Sequence, residues 1–448
     1  MVGMKGWSTW LLCAVVTACF GQQTLTLRQA VRLAVEQNPE VIAARLEAER
    51  ADARVREAIG TALPSVSIVA NYNRNLLLPV FFLPDFRNPQ SGQLQAVRIG
   101  SENSFQVQLQ ATQVLFNRAV LTGLGASQIY AQAARRQYRA VVAQVVAQVK
   151  KAFYGALLAR ELLEAARASL QRVERFAADT RVLASQGLVA EYDALRAQVQ
   201  VEQVRTLVAQ AELGYSTALR QLKLLLGIPQ EQQLEVQGSL EEEFRPQEAL
   251  SEQELVRRVH ERSWMLQALE LQGEVQRSMV QLYRSESYPT LVGFAAYTYQ
   301  GQSATLSNFL TARSAAVGVQ LSLSLFQGLQ TNARVEQAKL EWQKVQQQRQ
   351  RLQESLALQA LVALQQQRLA QQRIEVARST IEQAERGYQI ARTRYDTGLG
   401  SQLEVLDADA ALRQARSTYA QALHDYLAAQ AELEYLTGSL DPSLVPTF

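Results

Sequence analysis

The sequence predicts a mostly α-helical chain with a smaller β part whose strands would suit a membrane, laid out as a tandem duplication. Three observations carry this. Two glycine-centred turns, one around Gly187 and one around Gly398, each interrupt long helical patterns. Two pairs of segments show apolar–polar alternation of strand period, and these segments are long enough to cross a bilayer. The same parts then recur in the same order in the two halves of the chain.

Composition narrows the function classes. The 448 residues carry a formal net charge of +3, so there is no electrostatic ground for a nucleic-acid partner. Both cysteines, Cys13 and Cys19, lie near the N-terminus, which leaves the rest of the chain without a disulfide or a thiolate metal site. The two histidines, His260 and His424, are far apart and read as surface or packing residues. Neither a metal nor a cofactor is expected. Residues 1–21 read as a secretory signal, with Lys5 as the positive segment and 10–16 within the apolar segment. Two processing outcomes are open. Val16-Thr17-Ala18-Cys19 fits a lipobox, which would leave a lipidated Cys19, whereas ordinary cleavage near Gly21 would start the mature chain at Gln22. Either way the protein leaves the cytoplasm. No later apolar run of roughly eighteen residues predicts a membrane-spanning helix.

The duplication is read from matched landmarks. Leu63-Pro64-Ser65-Val66 is answered by Tyr288-Pro289-Thr290-Leu291, Tyr72 by Tyr297, and Glu36 by Glu261. Leu115-Phe116-Asn117 is answered by Leu325-Phe326-Gln327, Gly187 by Gly398, and Leu226-Gly227 by Thr437-Gly438. The separation between partners shortens only after Tyr72, in a segment where loop length varies at small entropic cost. The expected layout is a signal at 1–21, a first repeat at 22–228, a linker at 229–250, a second repeat at 251–438 and a tail at 439–448. Each repeat holds a helix (27–60, then 251–286), a β-hairpin (64–116, then 289–326), a very long helix, a tip and a second helix of about 35 residues. Gly227-Ile228-Pro229 and Gly438 stop the last helix of each half.

The strand segments are Phe105-Gln106-Val107-Gln108-Leu109-Gln110-Ala111-Thr112 and the stretch 317–325, with less regular partners at 66–73 and 291–300. Period-two alternation gives a strand two different faces. In a soluble sandwich the apolar face meets a core; in a membrane barrel it meets lipid while the polar face lines a lumen. Four strands are too few to close a barrel, and lipid does not tolerate open edges. A membrane role therefore requires an oligomer. The segment 74–103, with Pro79, Pro84 and Pro89 among Phe81, Phe82 and Phe86, reads as a long loop, and 301–312 as a shorter one.

No proline occurs from 119 to 185, and a helix of that length reaches on the order of 100 Å. Val142, Val149, Ala156, Leu163, Leu170 and Ala177 recur every seventh residue, with Val145, Ala152, Ala159, Ala166 and Val173 between them. In the second half, Ala363, Ala370, Ala377, Ala384 and Ala391 recur likewise, beside Ile374, Ile381 and Tyr388. Alanine at a seam position lets helices approach closely. The glutamine-rich stretches 346–348 and 365–367 read as solvated helix faces. Long antiparallel helices of this kind suit either a coiled-coil scaffold or the staves of a water-filled tube.

The two turns are the organising points. Tyr395-Asp396-Thr397-Gly398-Leu399-Gly400-Ser401 ends one helical pattern, and Ser401 with Glu404 makes a capping box for the next. Gly187-Leu188-Val189-Ala190-Glu191-Tyr192-Asp193 is the earlier counterpart. Glu404 and Asp407, three apart, share one helix face. They are either solvated first-turn acids that favour a helix N-terminus or part of a charged ring.

At these residues the chain resembles the TolC family of outer-membrane efflux proteins. The turn at Gly187 is similar to that family's Gly-Leu-Val-Ala turn with its following Asp. The turn at Gly398 is similar to its Tyr-Asp-x-Gly turn with the Asp-Val-Leu-Asp run. Pro64 and Pro289 before the strands and Phe116 and Phe326 after the hairpins also fit. The resemblance implies a homotrimer in which each chain gives four strands to one twelve-stranded β-barrel set in outer-membrane lipid. The barrel would be continued by a long periplasmic coiled-coil tunnel. It implies an exit duct without catalysis, which takes substrates from an inner-membrane transporter through a periplasmic adaptor (membrane fusion) protein for efflux or type I secretion. By residue, it implies that Asp193 and Tyr395 belong to the network that holds the tunnel shut. Glu404 and Asp407 would ring the constriction, with Glu404 where the family pattern has Asp. Residues 187–190 (Gly187, Leu188, Val189, Ala190) and 398–401 (Gly398, Leu399, Gly400, Ser401) would be the adaptor-docking tips. Gly400 stands where that pattern has an Arg.

A structural periplasmic coiled-coil scaffold is the alternative, and the duplicated strand pairs discriminate against it. An enzyme is disfavoured by the wide separation of the two histidines and by the lack of a phosphate-binding glycine loop or nucleophile elbow.

Overall fold

The computed structural model describes residues 23–84, 94–246 and 250–439. The signal segment with Cys19, the residues Phe86 and Pro89, and all but Ser439 of the C-terminal tail lie outside the described residues. In chain order the first repeat holds β1 (Gln23–Leu25), α1 (Leu27–Gln37), α2 (Pro39–Gly60), β2 (Ser65–Arg74), β3 (Val80–Pro84), β4 (Leu94–Arg98) and β5 (Asn103–Phe116). It continues with α3 (Arg118–Ser185) and α4 (Glu191–Leu226). After β6 (Leu234–Val236) and α5 (Leu240–Glu243) come α6 (Glu252–Arg262), α7 (Trp264–Ser285), β7 (Thr290–Ser303), β8 (Leu310–Ser322), α8 (Gln330–Asp396) and α9 (Gln402–Leu436). The long helices α3 and α8 have 68 and 67 residues. The chain divides into a strand-bearing unit, Ala44–Tyr138 and Met265–Gln353, and a helical unit formed by the remainder.

In the strand-bearing unit, four strands form one antiparallel sheet in the order β2-β5-β7-β8. Its register sorts the side chains. Val66 opposes Ala111, Ile68 opposes Leu109, and Tyr72 opposes Phe105. The same apolar face continues through Leu109 opposite Tyr297, Ala295 opposite Val317, and Leu291 opposite Leu321. The other face pairs Ser67 with Gln110, Asn71 with Gln106, Gln106 with Gln300, and Gln108 with Thr298. Glycines on the sheet make room for rings: a Cβ at Gly301 would collide with Phe105, and one at Gly318 with Phe294. β2 and β8 are the edges, and each is exposed along nearly its whole length. β8 ends at Ser322 rather than 325, because its partner β7 begins at Thr290, opposite Ser322.

The segment read as a plain loop, 74–103, contains a second hairpin, with β3 paired to β4 from Val80 opposite Arg98 to Pro84 opposite Leu94. Aromatic and β-branched residues between Pro79 and Pro84 favour extended backbone, and that local preference overrides the proline count. Asn117 caps α3, its Oδ1 accepting from the Ala119 and Val120 amides, while its Nδ2 donates to Thr290 Oγ1 at 3.2 Å.

In the helical unit, the predicted helix 27–60 is two helices. Pro39 cannot donate to the ladder, and Asn38 instead caps α2 by accepting from Glu40 N at 2.8 Å. The counterpart 251–286 breaks in the same place, at Ser263, where the backbone leaves the helical conformation (φ −59°, ψ 120°). The repeats share a packing device here. Gly227, after α4, has φ +71°, and a Cβ there would lie 2.6 Å from Gln37 O. Gly438, after α9, has φ +62°, and a Cβ there would lie 2.5 Å from Arg262 O. Each glycine therefore lets the end of a long helix touch the end of a short one. β1 pairs in parallel with β6, and Arg160 donates to the carbonyls of Val236 and Gly238 just beyond.

Most of the predicted heptad positions are buried, while Ala152, Ala159, Leu170, Ala177, Ile381, Ala384 and Tyr388 are half-buried. Val142, Val145, Val149, Ala156, Leu163, Ala166 and Val173 are buried, as are Ala363, Ala370, Ala377 and Ala391. One stretch of α3 is long and apolar enough to cross a membrane, but 56% of it is buried within the protein, as a core-facing seam should be.

Candidate functional site: the two helix–turn–helix tips

The tips lie in the helical unit and use one backbone device. At the first, Gly187 (φ +74°) donates to Ala184 O and Leu188 N donates to Leu183 O, both at 3.0 Å. At the second, Gly398 (φ +75°) donates to Tyr395 O at 3.0 Å and Leu399 N to Arg394 O at 2.8 Å. This pair of bonds satisfies the last carbonyls of a helix and requires a left-handed residue, a conformation that glycine adopts without a Cβ penalty. A Cβ added at Gly187 or Gly398 would meet no neighbour within 4 Å, so both tips present bare backbone to their surroundings. Leu188, Ala190, Leu399 and Ser401 are exposed, while Val189 and Gly400 are half-buried.

The next helices start differently. Ala190, before α4, makes no side-chain cap. Ser401, before α9, accepts from Glu404 N at 3.3 Å. The capping box predicted there is formed on that side; the Glu404 carboxylate faces Arg394 instead, at 3.6 Å. A guanidinium offers a charged partner that competes with the Ser401 amide.

The predicted gate residues are placed as follows. The Tyr395 ring packs tilted against Phe176, with centroids 4.9 Å apart, and its hydroxyl lies 3.3 Å from Thr180 Oγ1. Asp193 is half-buried, and its backbone carbonyl accepts from Gln402 Nε2 at 2.8 Å, a direct bond between the two tips. Within the chain Asp193 and Tyr395 thus have separate partners. Arg392 adds a further tie, pairing with Asp179 at 2.5 Å and Asp396 at 3.1 Å. Partial burial works against its charge, but Asp179 and Asp396 together hold the guanidinium above its usual pKa. Phe176, Ala391, Val405 and Leu406 form a small core beneath these polar ties. Val405 and Leu406 face this core, so Glu404 and Asp407 on the flanking positions are exposed.

Sequence reasoning missed Asp409. It is 3% exposed, accepts from Ser169 Oγ at 2.5 Å and from Arg172 Nε at 2.6 Å, and lies 3.7 Å from Arg413 Nη1. The signal was available: Asp409 sits between buried Val405 and Leu412 at seam spacing, whereas Asp407 does not. Burial, together with the nearby Asp409 carboxylate, also pushes the Tyr388 hydroxyl above its usual pKa.

The arrangement holds no paired nucleophile and base. Among the described residues no cluster of His, Cys, Asp or Glu is suited to a metal ion. It offers instead two close-packed turns, exposed acids and several ties between helices.

The model of the outer membrane efflux protein family matches residues 30–228 and 255–439. Outer membrane protein TolC of Salmonella enteritidis is 22% identical over 428 residues, covering 94% of this chain and 83% of that protein. The alkaline protease secretion protein AprF of Pseudomonas aeruginosa is 25% identical over 447 residues, covering 98% and 90%. In fold, the chain is similar to the Campylobacter jejuni CmeC outer membrane channel, with a TM-score of 0.75, 18% identity, and coverage of 92% of this chain and 85% of that one. It is also similar to the open state of the Neisseria gonorrhoeae MtrE outer membrane channel, with a TM-score of 0.73, 18% identity, and coverage of 92% and 88%. With its family model matched once in each half, this chain belongs to the outer membrane efflux protein family.

Proposed function

We propose that the protein is an outer-membrane exit duct, which takes substrates from an inner-membrane pump through a periplasmic adaptor and passes them out of the cell without catalysis of its own. The observation that carries this is the sheet β2-β5-β7-β8, with one apolar face, one glutamine- and serine-rich face, and two unpaired edges. In lipid an edge leaves backbone groups without partners, which costs several kcal/mol per group. Pairing β8 of one copy with β2 of the next removes both edges, and three copies make one twelve-stranded barrel. A coiled-coil scaffold in water has no use for such a sheet.

At the periplasmic end, the long helices form a tunnel whose tips, 187–190 and 398–401, are the adaptor contact. Glu404 and Asp407 line its constriction, and Asp193 and Tyr395 belong to the closing network. The exposure of both acids beside buried Val405 and Leu406 supports this reading. An acidic ring selects cations by charge. The test is single-channel recording of the purified protein in a planar bilayer. Replacing Glu404 and Asp407 together by Ala should weaken cation selectivity and block by multivalent cations. Unchanged selectivity and unchanged block would remove both residues from the pore.

A further inference from the structure

The tip at Gly398 contains an arrangement that the tip at Gly187 lacks. Arg394 lies on the last turn of α8 and its carbonyl accepts two loop amides, Leu399 N at 2.8 Å and Gly400 N at 2.9 Å. Its side chain turns back over the same loop: Nη2 donates to Leu399 O at 3.2 Å, and Nη1 lies 3.6 Å from Glu404 Oε2. Gly400 is what permits this. A Cβ at that position would stand 2.9 Å from Arg394 Cβ and 3.0 Å from Tyr395 N, so any side chain would lift the loop off Arg394. The other tip is an internal control. By the repeat match of Gly187 to Gly398, the place of Arg394 is taken by Leu183, that of Gly400 by Val189 and that of Glu404 by Asp193. The acid is kept there without the arginine and without the second glycine.

Arg394 and Glu404 are both about half exposed, so the pair adds little to stability. Its effect is on field rather than on folding energy. Opposite unit charges this close cancel at distances beyond a few ångströms, and an ion passing the constriction senses their sum. Asp407, one turn further along α9, is exposed, and no ion pair of its carboxylate occurs among the described residues.

We propose that Arg394 sets the ion selectivity of the constriction by neutralising Glu404, so that each chain presents two carboxylates but one net negative charge, carried by Asp407. This rests on the reading that Glu404 and Asp407 line the pore. Gly400 is the positioning residue that brings the guanidinium to the carboxylate. The multivalent cation that would compete at such a ring is attracted through Asp407 and only weakly through Glu404.

The test uses the full-length protein in planar bilayers, with reversal potentials in a KCl gradient and block by La3+ added on the tip side. Arg394→Gln should raise cation selectivity and tighten La3+ block several-fold. Arg394→Lys, which keeps the charge, should stay near wild type. Arg394→Gln with Glu404→Gln should return to the wild-type value, because the net charge per chain is the same. Asp407→Asn should lower selectivity and weaken block. If Asp407→Asn lowers selectivity but Arg394→Gln leaves it unchanged, Arg394 does not tune the ring and the proposal is overturned while the pore reading stands. If the double variant matches Arg394→Gln alone, Glu404 is not the charge offset, and the proposal also fails. If Asp407→Asn and Arg394→Gln are both without effect, the pore reading itself is wrong. Gel filtration in mild detergent separates each of these results from a failure to assemble.

Discussion

At the scale of single residues, the chain keeps two aspartates two positions apart on α9 with opposite fates. Two residues turn a helix by roughly 200°, so Asp407 faces out and Asp409 faces in. Inside the seam, Asp409 is held by Ser169, Arg172 and Arg413. A polar residue in an apolar heptad seam fixes which turn of one helix meets which turn of the other, since any slip would leave the carboxylate unpaired. Asp409→Ala should therefore lower stability by about 3 kcal/mol, the low end for a broken buried pair, because both guanidiniums keep some contact with water. Asp409→Asn, which retains the bond from Ser169, should cost less. Denaturant midpoints of the detergent-solubilised protein measure both. Tyr395 and Asp193 lead to a functional prediction. Tyr395→Phe removes the hydroxyl contact with Thr180, a neutral hydrogen bond worth roughly 0.5–1.5 kcal/mol, and Asp193→Ala removes a half-buried carboxylate; shifts of this order add up across copies and change which of two states dominates. Tyr395→Phe with Asp193→Ala should raise single-channel conductance; an unchanged conductance would take these residues out of the closing network.

At the scale of elements, the same glycine-capped helix end recurs at Gly187, Gly227, Gly398 and Gly438. The backbone is shared and the surroundings are not. Gly227 and Gly438 press on the carbonyls of Gln37 and Arg262, while Gly187 and Gly398 have open space around them. Adding a Cβ at φ near +70° costs about 1–2 kcal/mol anywhere. At Gly227 and Gly438 a clash adds to this, so Gly227→Ala should destabilise the protein more than Gly187→Ala, as unfolding midpoints would show. At the open tips the consequence concerns partners. Gly187→Trp with Gly398→Trp should leave assembly intact and abolish export in cells. The Asn pair, which tolerates the left-handed backbone, should retain export. Normal export by the Trp pair would argue against docking at these turns.

At the scale of the whole molecule, the sheet bears on both location and assembly. Its apolar face carries Val317, Val319 and Leu321 at 86%, 65% and 68% exposure, a surface no single soluble chain would leave uncovered. The protein should fractionate with the outer membrane and run as a trimer in mild detergent. Recovery as a soluble periplasmic monomer would refute the barrel. Lysine substitution at Val317 or Val319, on the face that would meet lipid in a barrel, should reduce the yield of the expected trimer. The same substitution at Gln320, on the opposite face, should be tolerated, because that face would line water in a barrel.

What the sequence determined by itself was everything written in a period. The seam spacing of α3 and α8, the alternation of β5 and β8, and the glycines that stop helices are local properties. Each residue there reports its own face, and two halves with the same order report a duplication. The tertiary structure decided what depends on which distant turns meet. Tyr395 faces Thr180, 215 residues away in the chain, and Gln402 reaches the carbonyl of Asp193 across 209. The helix pattern at 27–60 hid a break at Asn38, where Pro39 and the Asn38 cap outweigh the helical period, and the proline-rich stretch 74–103 hid a hairpin, where the extended preference of residues 80–83 and their pairing outweigh the prolines. Arg394 was legible only as one more helix-surface cation. Its closeness to Glu404 arises from a turn that folds back on its own helix end, and it took the backbone positions of Leu399 and Gly400 to place charge beside charge.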